Sequence, residues 1–254
     1  MENVSLKNKA ALVTGGGTGI GKAIAMEFAR LGAQVAVNYN LSKDAAQQVV
    51  EEIKKIGGKA VSIQADVTDE EQVKDLVQKA AEFGGGRIDI LVNNAGTLVE
   101  RSPIEKMELS LWKQIMDVNM TSTFLVCKHA IAFMKGLQGG RIINMSSLAA
   151  HNGGGPGAAA YSASKAAIHA FTKGLAKELA PDILVNCIAP GIITTRFHDV
   201  YTSPEVRAKF GDSIPLKREG TPDEVAGAAV LLATKYGSYI TGEMIEVNGG
   251  IYMD

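Results

Sequence analysis

A glycine-rich turn near the start of the chain has the residue types and the position to bind phosphate. Segment 14–21 reads Thr-Gly-Gly-Gly-Thr-Gly-Ile-Gly and lies between a short apolar run, 10–13, and a stretch with helical spacing of apolar residues, 22–31. Glycines let the backbone approach a pyrophosphate, and a helix N-terminus supplies free N–H groups and the positive end of its dipole. In an open parallel sheet this turn faces the carboxyl ends of the strands, where ligands bind. Its placement favours a dinucleotide site over a tight turn without a ligand.

The same segment also fits the phosphate loop of nucleoside triphosphatases. Residues 16–22 read GxxxxGK, a pattern that requires Ser or Thr at the next position to hold magnesium. Ala23 stands at that position. Because the hydroxyl is missing, a triphosphatase is disfavoured.

Tyr161 and Lys165 form a pair that can alter the ionisation of the phenol. They lie four positions apart on one predicted helix, so their side chains share a face. A free phenol has a pKa near 10, and a nearby cation favours the phenolate; a pKa of about 7 requires about 4 kcal/mol of stabilisation. The alternative is a tyrosine at the edge of the core beside a surface lysine, because this spacing also occurs by chance.

The elements that must position these residues alternate along the chain. Segment 221–224, Thr-Pro-Asp-Glu, has the N-cap, proline and acid of a helix start, and Thr68 with Glu71 has the spacing of a capping box. Seven strands and six helices indicate an α/β fold, a single-domain Rossmann-type doubly wound parallel sheet with helices on both faces, spanning 1–254. The predicted strands are 10–13, 34–38, 60–64, 88–92, 141–145, 183–188 and 243–247, and the predicted helices are 22–31, 43–56, one from the Thr68 box to Ala80, 109–134, 161–179 and 222–234.

Composition and charge exclude several classes of protein. The 26 Lys and Arg residues against 27 Asp and Glu give a formal net charge of -1, which provides no broad positive face for nucleic acid. An apolar fraction of 46% excludes disorder, and no apolar run is long enough to span a membrane. The two cysteines, Cys127 and Cys187, form no disulfide framework, and no histidine has the spacing of a metal ligand. Since the start of the chain also lacks an apolar leader, we expect a cytoplasmic protein without a metal.

Taken together, the motifs resemble those of the short-chain dehydrogenase/reductase family. The resemblance covers about 7–250, and seven motifs in order are far more specific than any one of them. It implies an enzyme that transfers hydride between a nicotinamide dinucleotide and a carbonyl or secondary alcohol. The matching motifs are Thr14-Gly-x-x-x-Gly-x-Gly21, Asp66, Asn93-Asn94-Ala95-Gly96, Asn119, Ser147, Tyr161-x-x-x-Lys165 and Pro190-Gly191.

The resemblance implies four catalytic residues. Tyr161 would be the acid/base, and Lys165 would bind the nicotinamide ribose. Ser147 would hold the substrate carbonyl oxygen; Ser146 is the alternative, but Ser147 lies nearer to Tyr161, 14 positions before it, where the family serine lies about a dozen before. Asn119 would hold a water that relays protons to the lysine.

The resemblance also implies which positions contact the dinucleotide. At the end of the second strand, the sequence Asn-Tyr-Asn at 38–40 has no acid to repel a 2′-phosphate, and Asn40, Ser42 and Lys43 could bind one. Thr18, however, stands where many NADP-dependent relatives carry a basic residue. We predict a preference for NADP(H) over NAD(H). Asp66 would accept from an adenine amine, although it could equally cap the turn before Thr68. The predicted contacts are Gly15, Gly17, Thr18, Gly19, Ile20, Gly21, Tyr39, Asn40, Ser42, Asp66, Val67, Asn93, Ala95, Gly96, Tyr161, Lys165, Pro190, Gly191, Ile193 and Thr195.

The pattern looks most like that of 3-oxoacyl-carrier-protein reductases. Sugar or polyol dehydrogenases of the same family, similar at 37–39, are the alternative, and a non-catalytic dinucleotide-binding regulatory protein is an alternative from another class. Residues 196–220 are expected to form a lid over a small carbonyl or alcohol substrate, and the small residues at 153–157 to leave the cleft open. The resemblance further implies a homotetramer in which the helices 109–134 and 161–179 pack across an interface, with neither nucleic acid nor membrane as a partner.

Overall fold

Parallel strands form the centre of the computed structural model, which describes residues 4–137, 139–202, 205, 207 and 213–253. Within these residues, seven strands form one sheet in the order β3-β2-β1-β4-β5-β6-β7, and every neighbouring pair is parallel. Strand order reverses between β1 and β4, so a crevice opens at their carboxyl ends. The strands are β1 Ala10–Val13, β2 Gln34–Tyr39, β3 Lys59–Gln64, β4 Ile90–Asn93, β5 Gly140–Met145, β6 Ile183–Pro190 and β7 Met244–Val247.

Helices connect the strands and cover both faces of the sheet. The predicted helix 109–134 is continuous but changes type, because the π-helical turn Asp117–Thr121 joins α4 to α5 and the 3-10 turn Ile131–Phe133 follows. The helices are α1 Gly19–Arg30, α2 Lys43–Lys55, α3 Glu70–Phe83, α4 Leu109–Met116, α5 Ser122–Ala130, α6 Ala149–Asn152, α7 Ala159–Leu179, α8 Arg196–Tyr201 and α9 Pro222–Ala233.

The core consists of two apolar layers, one on each face of the sheet. Successive strand side chains point to opposite faces, and the layers follow this alternation. Val13 packs with α1, α2 and α9 on one face, and Leu12 packs with α3, α5 and α7 on the other. Both faces of the sheet are therefore buried, which is why its strands are near-continuous apolar runs.

One of the two predicted capping boxes is wrong by a residue. Asp69, not Thr68, caps α3: its Oδ1 accepts from the backbone N–H groups of Glu71 and Gln72, both at 3.0 Å. The Thr68 hydroxyl instead donates to the Asp66 carboxylate at 2.7 Å, in the turn before the helix.

The predicted start of the last helix is confirmed. Glu224 Oε2 accepts from the Thr221 N–H at 2.8 Å, the Thr221 hydroxyl accepts from the Glu224 N–H at 3.4 Å, and Pro222 occupies the first turn.

Candidate functional site

The carboxyl ends of the central strands open into one cleft of about 640 Å³. Residues of the glycine turn and the ends of β2 and β3 line one side of it. The serine after β5, the start of α7, the segment after β6 and α8 line the other. Such a volume is typical of a pocket for a small molecule or cofactor.

The glycine turn approaches its own helix too closely for side chains. A Cβ atom on Gly21 would lie 2.4 Å from the carbonyl oxygen of Gly15 and 2.5 Å from Nδ2 of Asn94. Gly15 and Gly19 have φ angles of +60° and +52°, which glycine adopts without strain. Thr18 is the N-cap of α1, but its side chain makes no capping hydrogen bond, so the first-turn N–H groups of α1 have no side-chain partner there. The turn therefore presents free donors and a helix dipole to the cleft.

Two amide side chains hold this turn against the sheet. Asn38 Oδ1 accepts from the Gly15 N–H at 3.2 Å, and its Nδ2 donates to the Ala65 carbonyl at 3.1 Å. Asn94 Nδ2 donates to the carbonyls of Thr14 and Gly15 at 2.9 and 3.1 Å. Neither asparagine is among the predicted cofactor contacts, although Asn94 belongs to the motif 93–96. The signal in the sequence is an amide at or just after the end of an otherwise apolar strand, where a polar group needs a buried partner.

Tyr161, Lys165 and Ser147 meet on the opposite side of the cleft. Ser147 lies close enough to Tyr161 to favour its ionised form, which lowers the pKa of the phenol. Lys165 Nζ lies 5.7 Å from the centroid of the Tyr161 ring and donates to the carbonyl of Met145 at 2.8 Å. Ser146 also lines the cleft, but its hydroxyl donates to the backbone carbonyl of Lys165 at 2.9 Å.

Asn119 lies in the π-helical turn, next to this group. Its Nδ2 donates to the carbonyls of Thr97 and Ile115, both at 2.8 Å, while its buried Oδ1 has no partner among the described residues. A Cβ atom on Gly96 would lie 2.6 Å from Asn119 Oδ1 and 3.1 Å from Lys165 Nζ. The acceptor and the ammonium donor therefore face the same small space, which the missing side chain of Gly96 leaves open.

Burial controls the ionisation of the tyrosine and the lysine. It raises the pKa of Tyr161 to about 12, although the hydrogen bond from Ser147 opposes this shift. Burial also lowers the pKa of Lys165 to about 8. In the protein without a cofactor, loss of solvation keeps the pKa of the phenol high. At pH 7 Tyr161 is therefore protonated, as a proton donor must be. The expected shift towards neutrality also requires the positive nicotinamide ring of an oxidised cofactor, and it stays a prediction.

Comparisons with known proteins agree with this geometry. A family model described as enoyl-(acyl carrier protein) reductase matches residues 15–252. A 3-oxoacyl-(acyl-carrier-protein) reductase of Aquifex aeolicus is 41% identical over 251 residues, which are 98% of this chain and 99% of the relative. A protein of the same name from a Synechocystis strain is 42% identical, with equal coverage.

The chain belongs to the short-chain dehydrogenase/reductase family. Two solved members extend the likeness to three dimensions. A short-chain dehydrogenase of Burkholderia cenocepacia in complex with NADP has a TM-score of 0.90 and 34% identity, covering 98% of this chain and 99% of that one. A 7α-hydroxysteroid dehydrogenase complexed with NADH and 7-oxo glycochenodeoxycholic acid has a TM-score of 0.92 and 34% identity, covering 98% and 96%. The chain is accordingly an oxidoreductase that uses a nicotinamide dinucleotide to act on a carbonyl or alcohol group of a small molecule.

Most of the predicted site residues of this dehydrogenase/reductase line the cleft. Asn119 lies beside the cleft, over Gly96. The lining residues that the motifs predicted are Gly15, Thr18, Gly19, Ile20, Asn40, Val67, Ala95, Gly96, Ser147, Tyr161, Lys165, Pro190, Gly191, Ile193 and Thr195.

Several predicted cofactor positions do not line the cleft. Tyr39 is buried in the core, and its neighbour Asn38 contacts the glycine turn instead. Asn93 is also buried, and its Nδ2 donates to Asn144 Oδ1 at 2.9 Å. The Asp66 carboxylate accepts from the backbone N–H and the hydroxyl of Thr68, which is the turn-capping alternative for this residue. Three more predicted cofactor positions do not line the cleft: Gly17, Gly21 and the exposed Ser42. Gly17 packs against α2, where its Cβ would lie 3.2 Å from the backbone of Ala46, and Gly21 lies within the turn.

Part of the predicted lid lies over the tyrosine. The Phe197 ring of α8 is centred 5.8 Å from the Tyr161 ring and 5.0 Å from the Tyr201 ring. Within the span 196–220, positions 203, 204, 206 and 208–212 lie outside the described residues. The lid residues that line the cleft are Arg196, Phe197 and Thr202.

Metal clusters and membrane-spanning helices are two other features to consider in the described part of the chain. Over the described ranges, no group of three or more His, Cys, Asp or Glu side chains could hold a metal ion. In the same part of the chain, no helix combines the length and apolar character needed to cross a bilayer.

Proposed function

We propose that the chain is an NADPH-dependent reductase of 3-oxoacyl thioesters. The observation that carries the proposal is the position of Tyr161, a partly buried phenol that faces the cleft beside Ser147 and opposite the glycine turn. A reductase needs a proton donor beside the carbonyl that receives hydride, and this phenol is one. The names of the relatives from Aquifex aeolicus and Synechocystis support the thioester substrate over the sugar or polyol alternative.

The residues present fit a bound dinucleotide. The bare glycine turn and the uncapped N-terminus of α1 would hold its pyrophosphate. Thr195 lies beside the turn, with its Cγ2 3.5 Å from the position of a Cβ on Gly19, and its hydroxyl would add a phosphate contact. Lys165 and Tyr161 would contact the nicotinamide ribose. When bound, the dinucleotide supplies the hydride, which passes between its C4 atom and the substrate carbon.

Four residues of the chain would handle the proton. Ser147 would hold the carbonyl oxygen against Tyr161, and the Tyr161 hydroxyl would give that oxygen its proton as the carbon receives hydride. Lys165 would then return a proton to the phenolate. A water between Lys165 Nζ and Asn119 Oδ1 would renew it, because that space joins an ammonium donor to an acceptor that has no other partner among the described residues.

A preference for NADP is part of the proposal. None of the described residues lining the cleft is a carboxylate, whereas Arg101, Lys165 and Arg196 are cations. Asn38 and Asn40 end β2 on the adenosine side, so a 2′-phosphate meets no repulsion there. We therefore expect kcat/KM to favour NADPH over NADH, and a tenfold preference for NADH would contradict it.

We also propose a homotetramer and a cytoplasmic location. Leu109, Trp112 and Phe124 are exposed on α4 and α5, the helices expected to pack across an interface. Sedimentation should show a tetramer, and a species of monomer mass alone would contradict it. The location is supported by Cys127 and Cys187, which are free and buried.

A substrate panel with both cofactors tests the central proposal. Purified protein is mixed with NADPH or NADH and 3-oxoacyl thioesters, simple ketones or, with the oxidised cofactors, sugars. We expect NADPH consumption with the thioesters at the highest kcat/KM. Turnover of sugars alone would establish the sugar dehydrogenase alternative, and cofactor binding without any turnover would establish the regulatory one.

A further inference from the structure

One arginine crosses the substrate end of the cleft and joins two segments that border it. Arg101 lies in the connection after β4, and its side chain is exposed and lines the cleft. Its Nε donates to the carbonyl of Tyr201, the last residue of α8, at 2.9 Å. Its Nη1 donates to the carbonyl of Pro156, in the segment between Ser147 and α7, also at 2.9 Å. A planar guanidinium can make both bonds at once because its donors point in fixed, different directions.

The glycines of 153–157 make room for this side chain. A Cβ atom on Gly155 would lie 3.3 Å from Nη1 of Arg101. On Gly157, which has a φ of +75°, a Cβ would lie 3.1 Å from Cβ of Arg101 and 2.9 Å from the Ser102 N–H nitrogen. The backbone of Gly157 also accepts from that N–H, at 3.1 Å. The glycine run is therefore shaped to the connection after β4, and it does more than leave the cleft open.

A second bond fastens α8 to the same connection. The hydroxyl groups of Tyr201 and Thr97 lie 2.9 Å apart, and either can be the donor. Val99, between Thr97 and Arg101, has a φ of +65°, a conformation that β-branched residues rarely adopt. Such a conformation persists where the surroundings impose it. Two bonds from one short connection thus reach the same residue of α8.

The two bonds to Tyr201 bear on the reaction through a row of three tilted aromatic rings. Tyr201 contacts Phe197, and Phe197 contacts Tyr161, with ring centres 5.0 and 5.8 Å apart. The position of Tyr201 therefore sets where Phe197 lies over the reacting phenol. Arg101 itself touches neither Tyr161 nor Lys165 in any contact described above.

We propose that Arg101 is a positioning residue for the reduction: through the Tyr201 and Pro156 carbonyls, it holds α8 and the glycine segment together, so that Phe197 closes the substrate side of the cleft. The proposal rests on the proposed function only for the choice of substrate. Loss of the two Arg101 bonds leaves α8 fastened to the connection only by the Tyr201–Thr97 bond, so α8 moves away more often and substrate binding must restore its position. The KM for the carbonyl substrate rises, whereas the glycine turn on the far side is unaffected.

Arg101→Met keeps the aliphatic stem and removes every N–H donor. We expect about a tenfold rise in the KM for the carbonyl substrate, the size of one charge-assisted hydrogen bond, with kcat and the Kd for NADPH changed less than twofold. Arg101→Lys should not restore the KM, because an ammonium is a point donor that does not span both carbonyls. The matched control is Arg30→Met, since Arg30 pairs with Glu27 on the outer surface of α1.

Hydrogen exchange supplies a readout that requires no substrate. The amides of α8 should exchange at least tenfold faster in Arg101→Met than in the wild type or the control, with an unchanged Tm. An unchanged KM together with unchanged exchange would overturn the proposal, as would full restoration by Arg101→Lys. A joint loss of Tm and NADPH binding would show a general structural role and would also overturn it. If the wild type reduces none of the substrates, the proposed function fails, and the exchange rates alone decide the role of Arg101.

Discussion

Replacing Lys165 by methionine should lower activity and raise stability at the same time. Lys165 Nζ lies 5.7 Å from the Tyr161 ring centroid. A unit charge at that distance stabilises the phenolate by about 3 kcal/mol at an effective dielectric constant of 20. Since about 1.4 kcal/mol corresponds to tenfold, Lys165→Met should lower kcat/KM for alcohol oxidation about 100-fold.

The gain in stability comes from removing a buried cation. Burial lowers the pKa of Lys165 from 10.5 to about 8, so below pH 8 the fold carries a buried charge at a cost of about 3 kcal/mol. Between pH 8 and 10.5 the unfolded chain binds more protons than the folded one, so wild-type stability rises with pH and the cost disappears. Lys165→Met should therefore be more stable than the wild type at pH 7.5, and this advantage should shrink by about 2–3 kcal/mol by pH 10.

Steady-state kinetics and urea unfolding at pH 7.5 and 10 measure both effects. The control is Lys177→Met, which removes a lysine from the exposed side of the same helix, α7. It should change neither kcat/KM nor the pH dependence. Activity of Lys165→Met within threefold of the wild type would refute the action of the charge on the phenol. A stability difference independent of pH would refute the burial argument.

Other expected outcomes concern the glycine turn and the surface charges. Gly21→Ala should abolish NADPH binding in a titration, because its Cβ would lie 2.4 Å from the Gly15 carbonyl. The control is Gly227→Ala in α9, where nothing lies within 4 Å of the new Cβ. This variant should still bind NADPH and gain about 0.5–1 kcal/mol of folding stability. Equal NADPH binding by the two variants would contradict the steric argument. Hydrogen bonds from Lys128 and His129 lower the pKa of Glu70 to about 2. The stability of the wild type should therefore fall as pH drops from 4.5 through 2, and Glu70→Gln should lose much of this pH dependence in acid unfolding. An unchanged pH dependence would show that the ion pairs of Glu70 with Lys128 and His129 contribute nothing.

The fold follows from patterns that are local in the sequence. The buried strands, such as Ala10–Val13, are apolar runs because helices cover both faces of the sheet. Thr221 caps its helix through hydrogen bonds with Glu224, only three positions away. A glycine between a strand and a helix is likewise a local signal of a tight turn. Gly15 occupies such a turn and has a positive φ. These features needed no knowledge of distant contacts.

The parts that sequence reasoning missed depend on distant contacts. Asn38 and Tyr39 are adjacent, so strand alternation directs the Asn38 amide to the glycine turn and the Tyr39 ring into the core. The sequence at the end of the strand does not reveal which of the two side chains faces the ligand. Arg101 meets a carbonyl 100 positions away. The high pKa of Tyr161 arises from burial. In each case, the packing of separate segments determines the outcome.

The central claim is that Tyr161 gives the substrate oxygen its proton. Tyr161→Phe tests it most directly, because it removes one hydroxyl and keeps the ring that contacts Phe197. The measurement is kcat/KM for NADPH-dependent reduction of a carbonyl that the wild type accepts, together with the Kd for NADPH. Proton donation predicts a fall of about a thousandfold with the Kd unchanged within twofold. Activity within tenfold of the wild type would contradict the claim.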